Sequence, residues 1–314
     1  MDSTLTDFQK EIDVTRVYVK NDRQSLVCSL PAGRVRILSW NIERGYQPDI
    51  IAAYLDEMQP DIVCLQEVDW NNERTDHRDV LDYLARRLGM RGYFGVEYFE
   101  IDSPHRPPRL AGGGVHGNAI LTRLQPARCF RIELPQYFDW LSPPARHEET
   151  ARTQPRTGAR FALCAEFEVG EGSWMICSAH LENMDAGVQG RFAQFLRIAA
   201  EMDSGSSTAL ARVICGDFNT QDNWITSLWG LSRREKSLQK PWYRSECAWW
   251  KQALLPATGY VDPFGCREWT FVQDRIYRAK LDWILQRNCR VLDYGLGDFN
   301  TSDHRPLWVD LEGA

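Results

Sequence analysis

Near its end the chain reads Leu-Asp-Trp-Ile-Leu over residues 281–285 and Thr-Ser-Asp-His-Arg-Pro over residues 301–306. Both stretches adjoin apolar runs that are typical of strands, and they carry Asp282, Asp303 and His304. A histidine beside one carboxylate, with a second carboxylate upstream, has the parts of an oriented general base next to a metal ligand. The alternative is that the second stretch only caps a turn before the last strand.

The chain around these stretches predicts an α/β protein. Apolar alternation predicts strands over residues 34–40, 61–67 and 92–99, and helical spacing predicts helices over 48–58 and 79–88. Strands that alternate with helices are typical of α/β architectures. Further strands are predicted at 115–122, 127–134, 159–168, 173–181, 212–215, 281–287, 289–295 and 306–311, and one further helix at 188–202.

The composition is that of a folded protein. With 314 residues, 43% of them hydrophobic and 25% charged, the chain can build one large core. It has no internal repeat and no change of composition that would mark a linker. We therefore predict a peripheral arm at residues 1–33 and a single domain over 34–314, with a Trp-rich insertion at about 222–275.

Cysteine usage and hydropathy indicate a cytoplasmic protein. No apolar run approaches the roughly 18 residues that span a bilayer, and the first residues lack the basic and apolar regions of a signal peptide. The nine cysteines form no CxxC pair, and several stand inside apolar runs. This pattern predicts buried thiols in a reducing compartment, and no membrane association.

The charge balance bears on the substrate. The formal net charge is -6, and no dense basic run is present. A protein that holds long nucleic acid by its phosphates usually shows a basic face. Unspecific binding to long DNA or RNA is therefore not favoured, although a local basic groove stays compatible with this sequence.

Polar residues recur where predicted strands end, which is where α/β proteins assemble their sites. They are Asn41, Glu67, His180, Asp217 and Asn219, together with the Asp303–His304 pair before the last strand. Each alone has a structural explanation, such as a turn former, a surface carboxylate, an Asx turn or a core histidine. That every one of these structural explanations applies at the same time is far less expected than that any single one does.

Hydrolysis of a phosphate ester is the chemistry that needs this set. Oxygen ligands such as Glu67, Asp303 and the Asn41 amide suit Mg²⁺ or Mn²⁺ rather than zinc. The cation would neutralise the phosphoryl oxygens and the leaving alkoxide.

The remaining polar residues suit the proton and water chemistry of the same reaction. Asp217 and Asn219 could align an attacking water. His304, oriented by Asp282, could take a proton or stabilise the charge of the pentacoordinate phosphorus. His180 would donate a hydrogen bond to a phosphoryl oxygen or to the leaving group.

Seven motifs in order resemble those of the endonuclease/exonuclease/phosphatase superfamily, the deoxyribonuclease I-like fold. They are Trp40-Asn41-Ile42, Leu65-Gln66-Glu67, Gly117-Asn118-Ala119-Ile120-Leu121, His180-Leu181, Gly216-Asp217-Phe218-Asn219, Leu281-Asp282-Trp283-Ile284 and Ser302-Asp303-His304-Arg305-Pro306. The resemblance implies a four-layer α/β/β/α sandwich of two packed mixed β-sheets with a site at one rim. It also implies Asn41 and Glu67 near the metal, Asp217 and Asn219 at the water, His180 and Asn118 on the phosphate, Asp303 on a metal or water, and His304 paired with Asp282.

Departures from the family patterns narrow the substrate. The inositol polyphosphate phosphatases carry Pro-Ala-Trp-Cys-Asp-Arg, whereas residues 278–283 here read Arg-Ala-Lys-Leu-Asp-Trp. The abasic-site nucleases usually have an aspartate two residues after the first asparagine, where this chain has Glu43. A carboxylate is kept at that position, so a second metal contact stays open.

Three segments between the predicted strands could select the substrate: the Pro- and Gly-rich loop 103–117, the connection 135–158 and the Trp-rich insertion 222–275. His116, with Trp242, Tyr243, Trp249 and Trp250 of the insertion, could stack on a base or an aromatic leaving group. The alternative, that these tryptophans pack the insertion onto the sandwich, is favoured. Arg109, Arg44 and Arg305 could contact phosphate by bidentate hydrogen bonds, although Arg305 is equally consistent with a structural ion pair.

The sequence therefore predicts a divalent-metal-dependent hydrolase of phosphate esters, a phosphodiesterase that uses water, with Mg²⁺ or Mn²⁺ as cofactor. Its partner would be a small phosphate ester or a nucleic-acid end, and no protein partner is indicated. A nuclease or nucleic-acid end-processing enzyme is one alternative. A catalytically inactive phosphate-binding module is another.

Overall fold

The computed structural model describes residues 5–27, 33–137, 139–143, 145–169, 172–183, 186–204, 211–220, 245–274 and 277–313. In these ranges the strands are β1 (Val17–Lys20), β2 (Arg34–Arg44), β3 (Ile62–Trp70), β4 (Arg91–Glu100), β5 (Val115–Thr122), β6 (Pro126–Glu133), β7 (Arg156–Gly158), β8 (Phe161–Val169), β9 (Gly172–His180), β10 (Ala211–Asp217), β11 (Phe271–Gln273), β12 (Tyr277–Ala279), β13 (Asp282–Arg287), β14 (Cys289–Leu296) and β15 (Leu307–Gly313).

The helices in the same ranges are α1 (Asp7–Lys10), α2 (Pro48–Met58), α3 (Val80–Leu88), α4 (Glu148–Thr153), α5 (Gly187–Ser204) and α6 (Glu246–Trp249). Local sequence explains where α3 begins and ends. The Asp79 side chain accepts a hydrogen bond from the Asp82 backbone amide at 2.9 Å, and Gly89 closes the helix in the left-handed conformation. Pro48 opens α2 at a position where its missing N–H costs nothing.

The strands form two large mixed sheets. The first has eight strands in the order β1-β4-β5-β3-β2-β15-β14, with β7 also paired to β4, and the second has five in the order β13-β10-β9-β8-β6. The parallel pairs β2–β3 and β9–β10 flank α2 and α5 in the chain. Parallel neighbours need such a crossover, so the helices are carried onto the sheet faces.

The core confirms the predicted four-layer α/β/β/α sandwich. Neighbouring residues of a strand point to opposite faces. In β2, Ile37 belongs to the cluster between the sheets, whereas Leu38 belongs to the cluster under α2 and α3. On the second sheet, Val213 faces the other sheet and Ile214 packs under Phe195 of α5. Each sheet is thus covered by a helical layer on its outer face.

The predicted arm takes part in the first sheet. Residues 17–20 form β1, an edge strand antiparallel to β4. The buried Gln9 side chain donates hydrogen bonds to the carbonyls of Glu100 at 3.1 Å and of Gly114 at 2.6 Å. The segment is therefore not the irregular arm that its composition suggests, because its pairing partners lie far away in sequence.

Two pairs of cysteines correct the expectation of nine thiols. Cys164 is bonded to Cys177, its register partner across β8 and β9, and Cys247 is bonded to Cys266. The prediction of thiols is wrong for these four residues, because the pairing of β8 with β9 brings Cys164 to Cys177, and Cys247 of α6 meets Cys266 without a CxxC spacing to mark the pair. As for membrane spans, the helices in the described ranges lack the length and apolar character that crossing a bilayer demands.

The tryptophans of the predicted insertion lie only partly within the described ranges. Residues 221–244, with Trp242 and Tyr243, lie outside them. Trp250 is fully buried and packs against Phe195 and Trp283, so it belongs to the core.

Candidate active site

A polar cavity of about 200 Å³ opens at one rim of the two sheets. The residues that line it include many of those predicted from strand ends: Glu67, His116, His180, Asp217, Asn219, Asp303 and His304. Asp217 is the register partner of both His180 and Asp282, so three functional side chains stand in one row across β9, β10 and β13. Neighbouring strands are about 4.8 Å apart, which brings such a row within reach of one substrate atom.

Irregular backbone aims the side chains of the first sheet into the cavity. Glu67 has a φ of 56°, and the register between β3 and β5 shifts around it. Glu43 and Arg44 have φ values of 46° and 71° at a second shift, between β2 and β3. A left-handed conformation is costly for residues with a Cβ, and it persists where the surrounding fold holds it. These bulges therefore redirect side chains that a regular strand would point elsewhere.

The end of β10 depends on glycine. Gly216 has a φ of +141°, and a Cβ there would lie 1.8 Å from the carbonyl oxygen of Ala179. Only glycine allows β9 and β10 to approach this closely and still carry His180 and Asp217 side by side.

His304 is held as an imidazolium between two aspartates. Its Nδ1–H donates to Asp282 Oδ2 at 2.8 Å, and its Nε2 lies 3.6 Å from Asp217 Oδ2. Burial lowers the pKa of His304, but Asp282 and Asp217 raise it more, so the pKa stands well above its usual value. The two carboxylates therefore favour the imidazolium form of the ring.

Asp217 is the carboxylate at the centre of the row. The Asn41 amide donates to its Oδ2 at 3.1 Å, and the Asn219 backbone N–H donates to its Oδ1 at 2.8 Å. Burial raises the pKa of Asp217 to about 7, with a smaller increase from Asp282 and an opposing effect of His304. A carboxylate with this pKa can accept a proton near neutral pH.

His180 is a neutral imidazole. Its Nε2 lies 3.5 Å from Asp217 Oδ2 and its Nδ1 lies 3.7 Å from Glu97 Oε2. Burial lowers the pKa of His180 well below the usual value, and Arg160 lowers it further. A neutral ring carries one N–H, so His180 can donate a hydrogen bond without adding charge.

Carboxylates gather next to this row, where Mg²⁺ or Mn²⁺ was predicted. Asp303 Oδ1 lies 3.9 Å from His304 Nε2, and the Asp303 backbone N–H donates to Glu43 Oε2 at 3.3 Å. Burial raises the pKa of Glu43, and Asp303 and Glu67 raise it further. Burial also raises the pKa of Asp303. Burial likewise acts to raise the pKa of Glu67, but its ion pair with Arg44 outweighs this, so the pKa is about 2.

This donor set fits a hard divalent cation. The charge of Glu67 raises the pKa of both Glu43 and Asp303, and a divalent cation between these carboxylates would relieve that repulsion. Asp217, Asp282 and His304 also offer atoms within 4.8 Å of one another. However, His304 Nδ1 and Asp282 Oδ2 already bind each other, which leaves Glu67, Asp303, Glu43 and the Asn41 amide as the oxygen donors that could hold a cation.

Six of the predicted site residues are not among the described residues that line the cavity: Asn41, Asp282, Arg109, Asn118, Arg305 and Trp249. Asn41 and Asp282 nevertheless contact it through their hydrogen bonds to Asp217 and His304. The side chains of Asn118, Arg305 and Trp249 make other contacts. The buried Asn118 amide donates to the carbonyl of Phe161 at 3.1 Å. The Arg305 guanidinium donates to backbone carbonyls, among them that of Trp269 at 3.4 Å. Trp249 is half-buried at the end of α6. Their roles in binding stay predictions that this geometry does not favour.

The other two predicted substrate contacts lie at the cavity or its rim. Arg109 is exposed, and its Nη2 lies 3.4 Å from Glu43 Oε1. His116 lines the cavity, with Nδ1 2.7 Å from Glu100 Oε1 and an edge contact to Tyr98. The burial of His116 makes it a member of a charged network rather than a free stacking surface.

That network is the part of the site that sequence reasoning missed. It contains Glu97 and Glu100 of β4, His116 of β5, and Arg160 of the connection between β7 and β8. Arg160 Nη1 donates to Glu97 Oε1 at 2.6 Å. The available signal was a pair of glutamates inside an otherwise apolar strand, since buried carboxylates need partners.

Glu100 makes the folded state sensitive to acid. It is 1% exposed and lies 2.7 Å from Arg106 Nη2 and 3.2 Å from Arg74 Nη1. Burial raises its pKa, but Arg74 and His116 lower it more, so the folded pKa is well below the usual value. A depressed pKa stabilises the fold above the unfolded pKa of about 4.3, and this contribution is lost as the pH falls.

We therefore expect the free energy of unfolding in urea to fall when the pH is lowered from about 5 to 3. Glu100→Gln should cost about 3–5 kcal/mol at pH 7, because it leaves buried arginines unpaired, and should flatten the acid limb. Glu133→Gln is the control, since Glu133 is 64% exposed in its ion pair with Arg131. If the free energy of unfolding of both variants fell equally between pH 5 and 3, Glu100 would not be the source of the acid sensitivity.

Comparisons with known proteins agree with this fold. The model of the Endonuclease/Exonuclease/phosphatase family matches residues 38–304. No curated protein matches the sequence. Among solved structures, an endonuclease/exonuclease/phosphatase from Beutenbergia cavernae is 17% identical with a TM-score of 0.58, and the match covers 90% of this chain and 72% of that one.

Two further structures cover nearly the whole of both chains. The human Nocturnin catalytic domain with bound sulfate is 18% identical with a TM-score of 0.57, over 90% of this chain and 96% of that one. ANGEL2, described as a 2′,3′-cyclic phosphatase, is 14% identical with a TM-score of 0.57, over 96% and 99%. Identities this low establish similarity of fold alone.

Proposed function

The chain belongs to the Endonuclease/Exonuclease/phosphatase family, and from that premise we propose that it is a divalent-metal-dependent phosphodiesterase. The observation that carries the proposal is the row formed by His180, Asp217 and the His304–Asp282 pair. A neutral donor, a carboxylate with a pKa of about 7 and an imidazolium stand around one cavity. Hydrolysis of a phosphate ester uses one group of each kind.

The metal would be held beside that row, since Asn41 contacts Asp217 and Asp303 Oδ1 lies 3.9 Å from His304 Nε2. Glu67, Asp303 and Glu43, with the Asn41 amide, supply the oxygen donors that Mg²⁺ or Mn²⁺ prefers. When bound there, the cation would neutralise the charge of the phosphoryl oxygens and of the leaving oxygen.

The protein groups divide the remaining work. Asp217, ionised above about pH 7, accepts a proton from the attacking water. The backbone N–H of Asn219 orients the Asp217 carboxylate. The new oxygen–phosphorus bond forms as the bond to the leaving group breaks. The His304 imidazolium stabilises the charge of the pentacoordinate phosphorus, and His180 donates a hydrogen bond to a phosphoryl oxygen.

Processing of a nucleic-acid end is the second candidate. Arg44, Arg156 and Arg160 are three cationic side chains in the lining of the cavity, despite the acidic chain. A cavity of about 200 Å³ accommodates a chain end better than the flank of a long duplex. Single-stranded DNA and RNA, a nucleotide diester, and choline and inositol phosphodiesters should be compared in one competition panel.

Metal removal tests the proposal. We expect turnover of bis-p-nitrophenyl phosphate with Mg²⁺ or Mn²⁺, loss of turnover in EDTA, and recovery when the cation is restored, because the carboxylate cluster needs it. Release of p-nitrophenolate is the readout. A protein that hydrolyses no diester with Mg²⁺, Mn²⁺ or Ca²⁺ would instead be an inactive binding module.

A further inference from the structure

The Arg156 guanidinium is an unpaired cation at the cavity. It lines the cavity, but within the described part of the chain it makes no hydrogen bond or ion pair, and its Nε is buried without a partner. The other two arginines of the lining are paired: Arg44 with Glu67, and Arg160 with Glu97. The residue as a whole is half-buried, and a buried N–H donor such as its Nε is expected to meet an acceptor.

Aromatic rings hold this guanidinium in place. Its central carbon lies 3.7 Å from the ring centroid of Trp140 and 4.7 Å from that of Tyr98. Stacking on the rings fixes the plane of the guanidinium group and leaves the N–H groups at its edge available for hydrogen bonds. Burial lowers the pKa of Arg156, and Arg160 and Arg44 lower it further while Glu100 opposes them. An anion at the fork would relieve this repulsion.

The position of Arg156 separates it from the reacting centre. Arg156 lies in β7, where it is the register partner of Glu100 in β4. The neighbouring strands in the sheet are then β5 and β3, and β3 carries Glu67. Three steps between strands correspond to about 14 Å between the backbones. The guanidinium therefore approaches the cavity from the side opposite Asp303 and His304.

We propose that Arg156 binds a second anionic group of the substrate, a terminal phosphate or a carboxylate, beyond the phosphate that is cleaved. A planar fork recognises both anions through two parallel hydrogen bonds. The inference rests on the proposed phosphodiesterase function and narrows it, because the substrate class becomes a compact phosphate ester with another negative charge. Arg160, already bound to Glu97, adds positive charge beside the subsite.

Binding without turnover tests the subsite. In EDTA, calorimetric titration should show that pyrophosphate or phosphonoacetate binds about 10- to 100-fold more tightly than methylphosphonate, which has one anionic group. Arg156→Met should reduce that advantage to about twofold or less. If phosphonoacetate matches pyrophosphate, the subsite takes a carboxylate, and if pyrophosphate binds more tightly, it takes a phosphate.

Arg152→Met is the matched control, since Arg152 lies on the same segment, is 52% exposed and pairs with Glu149. Arg156→Lys keeps the charge and loses the fork, so it should retain part of the advantage if folding is intact by thermal unfolding. An unchanged advantage in Arg156→Met, or no advantage in the wild type, overturns the proposal. If no diester is hydrolysed but binding depends on Arg156, the phosphodiesterase function fails and the subsite stands.

Discussion

His304→Ala is expected to lower kcat for bis-p-nitrophenyl phosphate by about 10²- to 10⁴-fold, the usual contribution of a positioned acid–base group. The variant removes the imidazolium whose Nδ1 lies 2.8 Å from Asp282 and whose Nε2 lies 3.6 Å from Asp217. It also leaves the fully buried Asp282 carboxylate without its cationic partner. Steady-state release of p-nitrophenolate at saturating Mg²⁺ measures the effect.

Folding must be separated from chemistry in this experiment, because an unpaired buried carboxylate destabilises the protein. Thermal unfolding of His304→Ala and of His304→Gln should be recorded beside the rates. His77→Ala is the control, since His77 is exposed. A folded His304→Ala protein with a rate within a few-fold of wild type would remove His304 from the mechanism.

Glu67→Gln is expected to lower kcat/KM by at least about 10²-fold at low Mg²⁺ and to raise the Mg²⁺ concentration needed for half-maximal rate. Changing a residue that only hydrogen-bonds to a metal ligand already costs about 10–100-fold, and Glu67 is a proposed direct ligand. The change also frees Arg44, whose side chain is only 11% exposed, to repel the cation. Activity should be titrated with Mg²⁺ for both proteins.

Glu57→Gln is the control for that titration, because Glu57 is an exposed carboxylate on α2. Saturating Mg²⁺ should restore part of the lost rate if Glu67 acts through the metal. A Glu67→Gln protein with the wild-type Mg²⁺ dependence would place the cation elsewhere, with the Asp217, Asp282 and His304 group as the next candidate.

The ordered motifs were sufficient to predict the sandwich, and the family match over residues 38–304 and the two mixed sheets confirm it. Strand-end residues such as His180 and Asp217 were predictable together because parallel strands deliver their ends to one edge. Asn118 shows the limit of motif position, since its amide is buried against Phe161 rather than lining the cavity.

By itself the sequence determined the alternation of strands and helices, the order of the motifs and the kinds of side chain at the strand ends. These are local properties, because periodicity and turn chemistry depend on residues a few positions apart. Tertiary structure alone decided that Arg156 faces the cavity unpaired, that Glu97 and Glu100 are buried among arginines, and that Cys164 meets Cys177. Such pairings arise between segments far apart in the chain, and partners across sheets determine burial and charge.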